Sequence, residues 1–134
     1  ICAAPALALA PAGILDGKRA TCYPGFEREF SPQTHYSAER VVVDANLVTS
    51  QGPGTALEFA LELAEKIARQ ADDATQGGNA EILDTLARVL FLKDRRKAAV
   101  ELQEKAVQLA TGRRKEHFQQ TLDSYREGKL PEPY

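Results

Sequence analysis

Ile1-Cys2-Ala3-Ala4-Pro5 sets a thiol between a hydrophobic residue and a run of small residues able to open a helix. A nucleophile elbow needs such a neighbourhood, because the chain turns sharply while the reactive side chain stays exposed. Free N–H groups and the positive dipole end of a helix favour thiolate over thiol, which makes Cys2 the candidate nucleophile. By the same geometry the backbone N–H of Ala3 is the candidate oxyanion donor. A thiolate placed this way adds to an aldehyde or ketone carbon and forms a hemithioacetal. Cys22, at the end of a β-favouring run, reads as a packing residue. His35, beside Tyr36 and Ser37, reads from its neighbours alone as an ordinary residue at a loop edge, and His117 as an isolated residue on a polar face.

Five motifs then follow in order: Ile-Cys-Ala-Ala-Pro at 1–5, Gly-Lys-Arg-Ala-Thr-Cys-Tyr-Pro at 17–24, His-Tyr-Ser at 35–37, Arg-Val-Val-Val-Asp at 40–44, and Thr-Ser-Gln-Gly-Pro-Gly-Thr-Ala-Leu-Glu-Phe-Ala at 49–60. Together they resemble the ThiJ/PfpI family over about residues 1–69. The resemblance implies a flavodoxin-like sandwich, commonly dimeric. It also implies a stress-response role, with glyoxalase or deglycase activity on dicarbonyls and their adducts, redox-responsive chaperone activity, or in some branches proteolysis. By position, Cys2 matches the family nucleophile and His35 the nearby histidine, which would move protons during rearrangement and release. The family also keeps an acidic residue upstream of the cysteine that contacts the thiol. Glu27, Glu29 and Glu39 do not match that position, and the chain is expected to hold an incomplete site.

The elements that must carry these residues are legible in outline. Ala3 to Leu9 reads as an alanine-rich helix ended near Pro11 and Gly13, and Lys18 to Cys22 as a short strand. Val41 to Val43 and Leu47 to Thr49 read as two strands joined by an Asp44-Ala45-Asn46 turn. After the Gly52-Pro53-Gly54 turn, Thr55 and Glu58 stand at capping-box spacing and start a helix expected to run to Arg69. Its apolar stripe is Leu57, Ala60, Leu61, Ala64 and Ile67; Glu58, Glu62, Glu65, Lys66 and Arg69 are expected to be mostly solvated. Residues 1–70 thus read as a partial α/β segment and 71–79, acidic and glycine-containing, as a linker.

From residue 80 the strand signal disappears. Three antiparallel helices are expected, at about Ala80–Leu92, Arg95–Ala110 and Arg113–Glu127, stopped by Gly128 and followed by an exposed Pro131-Glu132-Pro133-Tyr134 tail. Leu83, Leu86, Ala87 and Leu90 with Ala99 and Ala106 look like one tetratricopeptide-type helix pair, although Gln103 stands where an aromatic residue is usual. Leu-Asp-Thr-Leu-Ala-Arg and Leu-Gln-Glu-Lys-Ala-Val are also similar to helical tails of bacterial thioredoxin-like proteins. Helix packing is favoured over specific partner binding for this segment. The expected fold class is therefore α/β: a partial flavodoxin-like sandwich followed by an all-α antiparallel three-helix segment.

The 134 residues are 43% hydrophobic and 27% charged, with a formal net charge of −2, the composition of a globular protein. That balance excludes broad nucleic-acid or anionic-membrane binding. The apolar run from Ala3 to Leu15 is interrupted by Pro5, Pro11 and Gly13 and cannot make a membrane-spanning helix. The chain has no methionine, so Ile1 is not a translation start, and no basic stretch precedes an apolar one as in a secretory signal. Two cysteines twenty residues apart in sequence, Cys2 and Cys22, make neither a disulfide scaffold nor a zinc site, and reduced thiols point to a cytoplasmic setting. No phosphate loop or paired-carboxylate motif is present, and no cofactor or metal is expected. Two functional readings remain. One is a cysteine-dependent enzyme acting on small reactive carbonyls, as a homo-oligomer or with a complementing chain. The other is a non-catalytic hybrid whose halves pack or recruit a protein partner.

Overall fold

The computed structural model describes residues 1–131 and divides into two compact units, residues 1–63 and 64–134. The tail expected at Pro131–Tyr134 lies, after Pro131, outside the described residues.

In the first unit the element after Cys2 is a five-residue π-helix, Pro5–Leu9, rather than an α-helix over Ala3–Leu9. Pro11 has no N–H to give the Leu7 carbonyl, so an α-helical ladder cannot continue past it. The coil widens instead, with Ala10 N–H on Pro5 O at 3.0 Å and Ile14 N–H on Leu9 O at 3.1 Å. Strand β1, Arg19–Ala20, is shorter than the expected Lys18–Cys22 because the next amides have other acceptors. Thr21 N–H binds Thr49 Oγ1 at 2.9 Å and Tyr23 N–H binds Cys2 O at 2.9 Å. β1 pairs in parallel with β2, His35–Tyr36, in the register Arg19–His35 and Ala20–Tyr36. Strands β3, Val41–Asp44, and β4, Leu47–Ser50, form the expected hairpin in antiparallel register from Val41–Ser50 to Asp44–Leu47. Ala45 takes the left-handed conformation there, at φ 50.

A 3-10 turn, Pro53–Thr55, leads into α1, Ala56–Ala74, which begins in the first unit and ends in the second. The cap differs from the expected box. Thr55 closes onto Gly52, while Glu58 leaves the cap to pair with Arg40, whose guanidinium lies 2.9 Å away. α1 also runs five residues beyond Arg69, with Thr75 Oγ1 donating to Ala71 O at 3.0 Å at its end.

The apolar stripe on α1 is not a core face: Leu57 is 74% and Ile67 65% exposed. The buried residues on this helix are Ala68 and Glu65. Glu65, expected among the solvated residues, receives Lys93 Nζ at 2.5 Å, Arg69 at 2.7 Å and Arg95 at 2.9 Å. Burial pushes its carboxyl up, but the hydrogen bonds and charges of Lys93 and Arg69 outweigh that and leave it below the ordinary range.

The second unit continues through α2, Ala80–Leu92, α3, Arg96–Leu109, and α4, Gly112–Glu127, joined by short turns. Asn79 starts α2 by accepting the N–H groups of Glu81 and Ile82 at 3.0 and 3.1 Å. Gly128, left-handed at φ 79, ends α4, and Lys129 N–H closes onto Ser124 O at 2.8 Å. The helices bury Leu83, Leu86, Leu90, Phe118, Leu122 and Tyr125. Ala99 and Ala106, both fully buried, let α2 and α3 approach. Gln103 is buried too, and its Nε2 donates to Asp84 Oδ1 at 2.8 Å and to Phe118 O at 3.2 Å. A polar tie thus occupies the place where an aromatic ring is usual. No helix among the described residues is long and apolar enough to cross a membrane.

Candidate active site

Cys2 is half-buried and stands at φ 64, in the left-handed region. A side chain held there crowds the following carbonyl and costs roughly 1–2 kcal/mol, so the surrounding bonds must impose the conformation. Two of them are visible. Cys2 N–H donates to Ser50 O at 2.9 Å, at the end of β4, and Cys2 O accepts Tyr23 N–H at 2.9 Å, just after β1. Two chain-distant segments therefore grip the backbone of the same residue from both sides. This is the mechanical requirement of an elbow, a sharp turn whose side chain remains available.

Ala3 begins the helical turn that follows. Its carbonyl accepts Ala6 N–H at 3.0 Å and Leu7 N–H at 2.9 Å. Its own N–H belongs to the turn's first residues, which have no preceding carbonyl within the helix to bind.

His35 is exposed on β2, and its backbone N–H is bound to Lys18 O at 2.9 Å. Among the described residues no hydrogen bond joins it to Cys2. Its place in a strand, rather than at a loop edge, comes from the parallel pairing with β1. A two-residue strand offers no alternation to read in sequence.

The second thiol differs sharply from the first. Cys22 is fully buried, and burial, followed by the nearby Glu27 charge, pushes its thiol up to about 11. It is a neutral packing group at neutral pH, and both thiols are free. Glu27, Glu29 and Glu39 are committed elsewhere. Glu27 accepts Gly25 N–H at 2.7 Å, Glu29 lies 3.4 Å from Arg28, and Glu39 pairs with Arg19 at 2.6 Å and accepts from Ser37 Oγ at 3.1 Å.

Two contributors escaped the sequence reading. Ser50 is fully buried and supplies the carbonyl that holds Cys2, and Tyr23 lays its ring against Gly52, where an added Cβ would meet Tyr23 Cδ2 at 3.3 Å. Both residues stand inside the motifs at 17–24 and 49–60, but nothing in those motifs assigns either a contact with Cys2.

Comparison with known proteins gives this segment relatives. Residues 1–66 match the DJ-1/PfpI family. The chain is 53% identical over 66 residues to Protein DJ-1 homolog B of Arabidopsis thaliana, a match covering 49% of this chain and 15% of that protein. It is 48% identical over 69 residues to Protein dj-1beta of Drosophila melanogaster, covering 51% of this chain and 36% of the fly protein. It is 38% identical over 68 residues to Glutathione-independent glyoxalase DJR-1.2 of Caenorhabditis elegans, covering 50% of this chain and 36% of the worm protein. In each case the chain spans well under half of the relative's length. No solved structure matches.

Proposed function

We propose, from the premise that this chain belongs over residues 1–66 to the DJ-1/PfpI family, that Cys2 is the nucleophile of a glyoxalase- or deglycase-type site acting on small reactive carbonyls. The observation that carries the reading is the left-handed backbone of Cys2, gripped through Ser50 O and Tyr23 N–H. A strained non-glycine residue held by two remote segments is a feature that clusters at functional sites. The worm relative's name, a glutathione-independent glyoxalase, supports the same chemistry.

In that chemistry the Cys2 thiolate adds to the aldehyde carbon of a dicarbonyl, and the carbonyl oxygen becomes the hemithioacetal oxyanion. The Ala3 N–H faces the developing charge. A base then moves the proton from the former aldehyde carbon to its neighbour, and water releases the hydroxy acid from Cys2. His35 enters as that proton carrier through its place in the motif order. An acidic partner for the thiol would come from a preceding segment, a second copy of the chain or a complementing chain.

The test is turnover of methylglyoxal, with many equivalents supplied and lactate measured, in the parent chain and in Cys2→Ser. The parent is expected to form lactate above the buffer rate, and Cys2→Ser to fall to it. Equal rates in the two proteins would refute the reading. His35→Ala is expected to lower turnover by at least about tenfold; an unchanged rate would remove His35 from the mechanism and leave Cys2.

A further inference from the structure

The turn that supplies the Ser50 carbonyl is organised around one hydroxyl. Thr55 Oγ1 is buried and touches three groups: Ser50 Oγ at 2.5 Å, Gly52 N at 3.1 Å and Gly52 O at 2.8 Å. Counting protons fixes the direction of each bond. A threonine hydroxyl has one hydrogen and two lone pairs. Its hydrogen goes to the Gly52 carbonyl, one lone pair takes the Gly52 N–H, and the other must take the hydrogen of Ser50 Oγ. Thr55 is then saturated, and the Ser50 hydroxyl ties its residue to the turn.

Ser50 in turn holds Cys2, because its carbonyl accepts the Cys2 N–H at 2.9 Å. The same turn bears on the opposite grip: the Tyr23 ring lies against Gly52, and Tyr23 N–H holds the Cys2 carbonyl. One of the two hydrogen bonds on the left-handed Cys2 backbone therefore comes from the segment Ser50 to Thr55 itself, and the residue that makes the other has its ring beside Gly52. We propose that Thr55 is a positioning residue for Cys2, acting through the Ser50 and Gly52 backbone to hold the thiol at the elbow. The proposal rests on Cys2 being the reactive thiol of this chain, and it is independent of which carbonyl compound that thiol attacks.

The experiment measures alkylation of Cys2 by iodoacetamide across a range of pH, read by mass at the Cys2 peptide so that Cys22 does not contribute. Thr55→Val keeps the shape and removes the donor and acceptor; Thr55→Ser restores both. Thr55→Val is expected to slow Cys2 alkylation by about tenfold or more and to move its pH profile away from the parent's, while Thr55→Ser returns both to within about twofold of the parent. Parent-like alkylation in a folded Thr55→Val chain, or a Thr55→Ser chain as slow as Thr55→Val, would overturn the proposal. Where Thr55→Val shows no cooperative unfolding transition, Ser50→Ala decides. It removes one bond and leaves the Thr55–Gly52 closure, and slowed alkylation supports the proposal while an unchanged rate overturns it. Methylglyoxal turnover is followed in parallel. A parent chain that forms no lactate but whose Cys2 alkylation depends on Thr55 refutes the proposed activity and retains the positioning role.

Discussion

Replacing Cys2 by glycine and by alanine separates backbone strain from thiol chemistry, because both variants lack the thiol and only one keeps a Cβ. At φ 64 an alanine pays roughly 1–2 kcal/mol for its left-handed conformation. Glycine avoids that cost but loses about 0.4–1 kcal/mol more chain entropy on folding. The difference leaves Cys2→Gly more stable than Cys2→Ala by about 0.5–1 kcal/mol, or a few degrees in melting temperature. The sign is the diagnostic, since at a residue of ordinary helical or extended backbone glycine is the less stable of the two. Urea midpoints followed by far-ultraviolet circular dichroism measure it, and both variants are expected to be inert toward methylglyoxal. A Cys2→Ala chain as stable as Cys2→Gly, or more so, would show that the elbow is not imposed on an unwilling residue and would undo the argument for a held nucleophile.

Glu65→Gln is expected to destabilise the chain at neutral pH by about 1–2 kcal/mol, a figure reduced because Arg69 and Arg95 are half-exposed. The folded carboxyl sits below its ordinary value, so its contribution is present above the unfolded value near about 4.3 and is lost as pH falls through the folded one. Unfolding midpoints of parent and variant should therefore converge in acid; a gap that stays constant from neutral to acid pH would contradict the charge argument. For the second thiol, Cys22 is expected to resist iodoacetamide at pH 8 in the folded chain and to react once urea unfolds it, because burial holds it neutral and out of reach. Equal labelling of Cys2 and Cys22 in the native chain would count against that environment.

The parts of this fold that sequence discloses are those whose cause lies within one helical turn or one strand pair. Gly128 marks a helix end by local capping, and α2 through α4 fall within a residue or so of their expected bounds because each carries its own apolar period. The hairpin of β3 and β4 is equally local. What sequence concealed was set by distant partners. Glu65 looks like a solvated helix residue until Lys93 and Arg95, 28 and 30 positions on, converge on it. The stripe containing Leu57 and Ile67 has the right period for a core face, yet period alone does not supply the surface that would cover it. At the site, the small residues around Cys2 announce an elbow, whereas Ser50 and Thr55 look like a strand end and a helix cap. Their relation to Cys2 exists only after the chain has closed.

That closure has a consequence for the thiol. The two bonds on Cys2 span 21 residues to Tyr23 and 48 residues to Ser50. Closing loops of these lengths costs about 3 kcal/mol of chain entropy, more than the roughly 1 kcal/mol net worth of one hydrogen bond, so neither bond forms from a disordered chain for its own sake. Each is stabilised by elements already folded around it, β1 with β2 on one side and the β3–β4 hairpin with the Thr55 turn on the other. Loss of either grip frees Cys2 to relax to negative φ, where the strain ends and the other grip loses its alignment. The elbow is therefore coupled to the packing of residues 1–63, and the proposed control of Cys2 runs through Thr55 and the backbone groups of Ser50 and Tyr23.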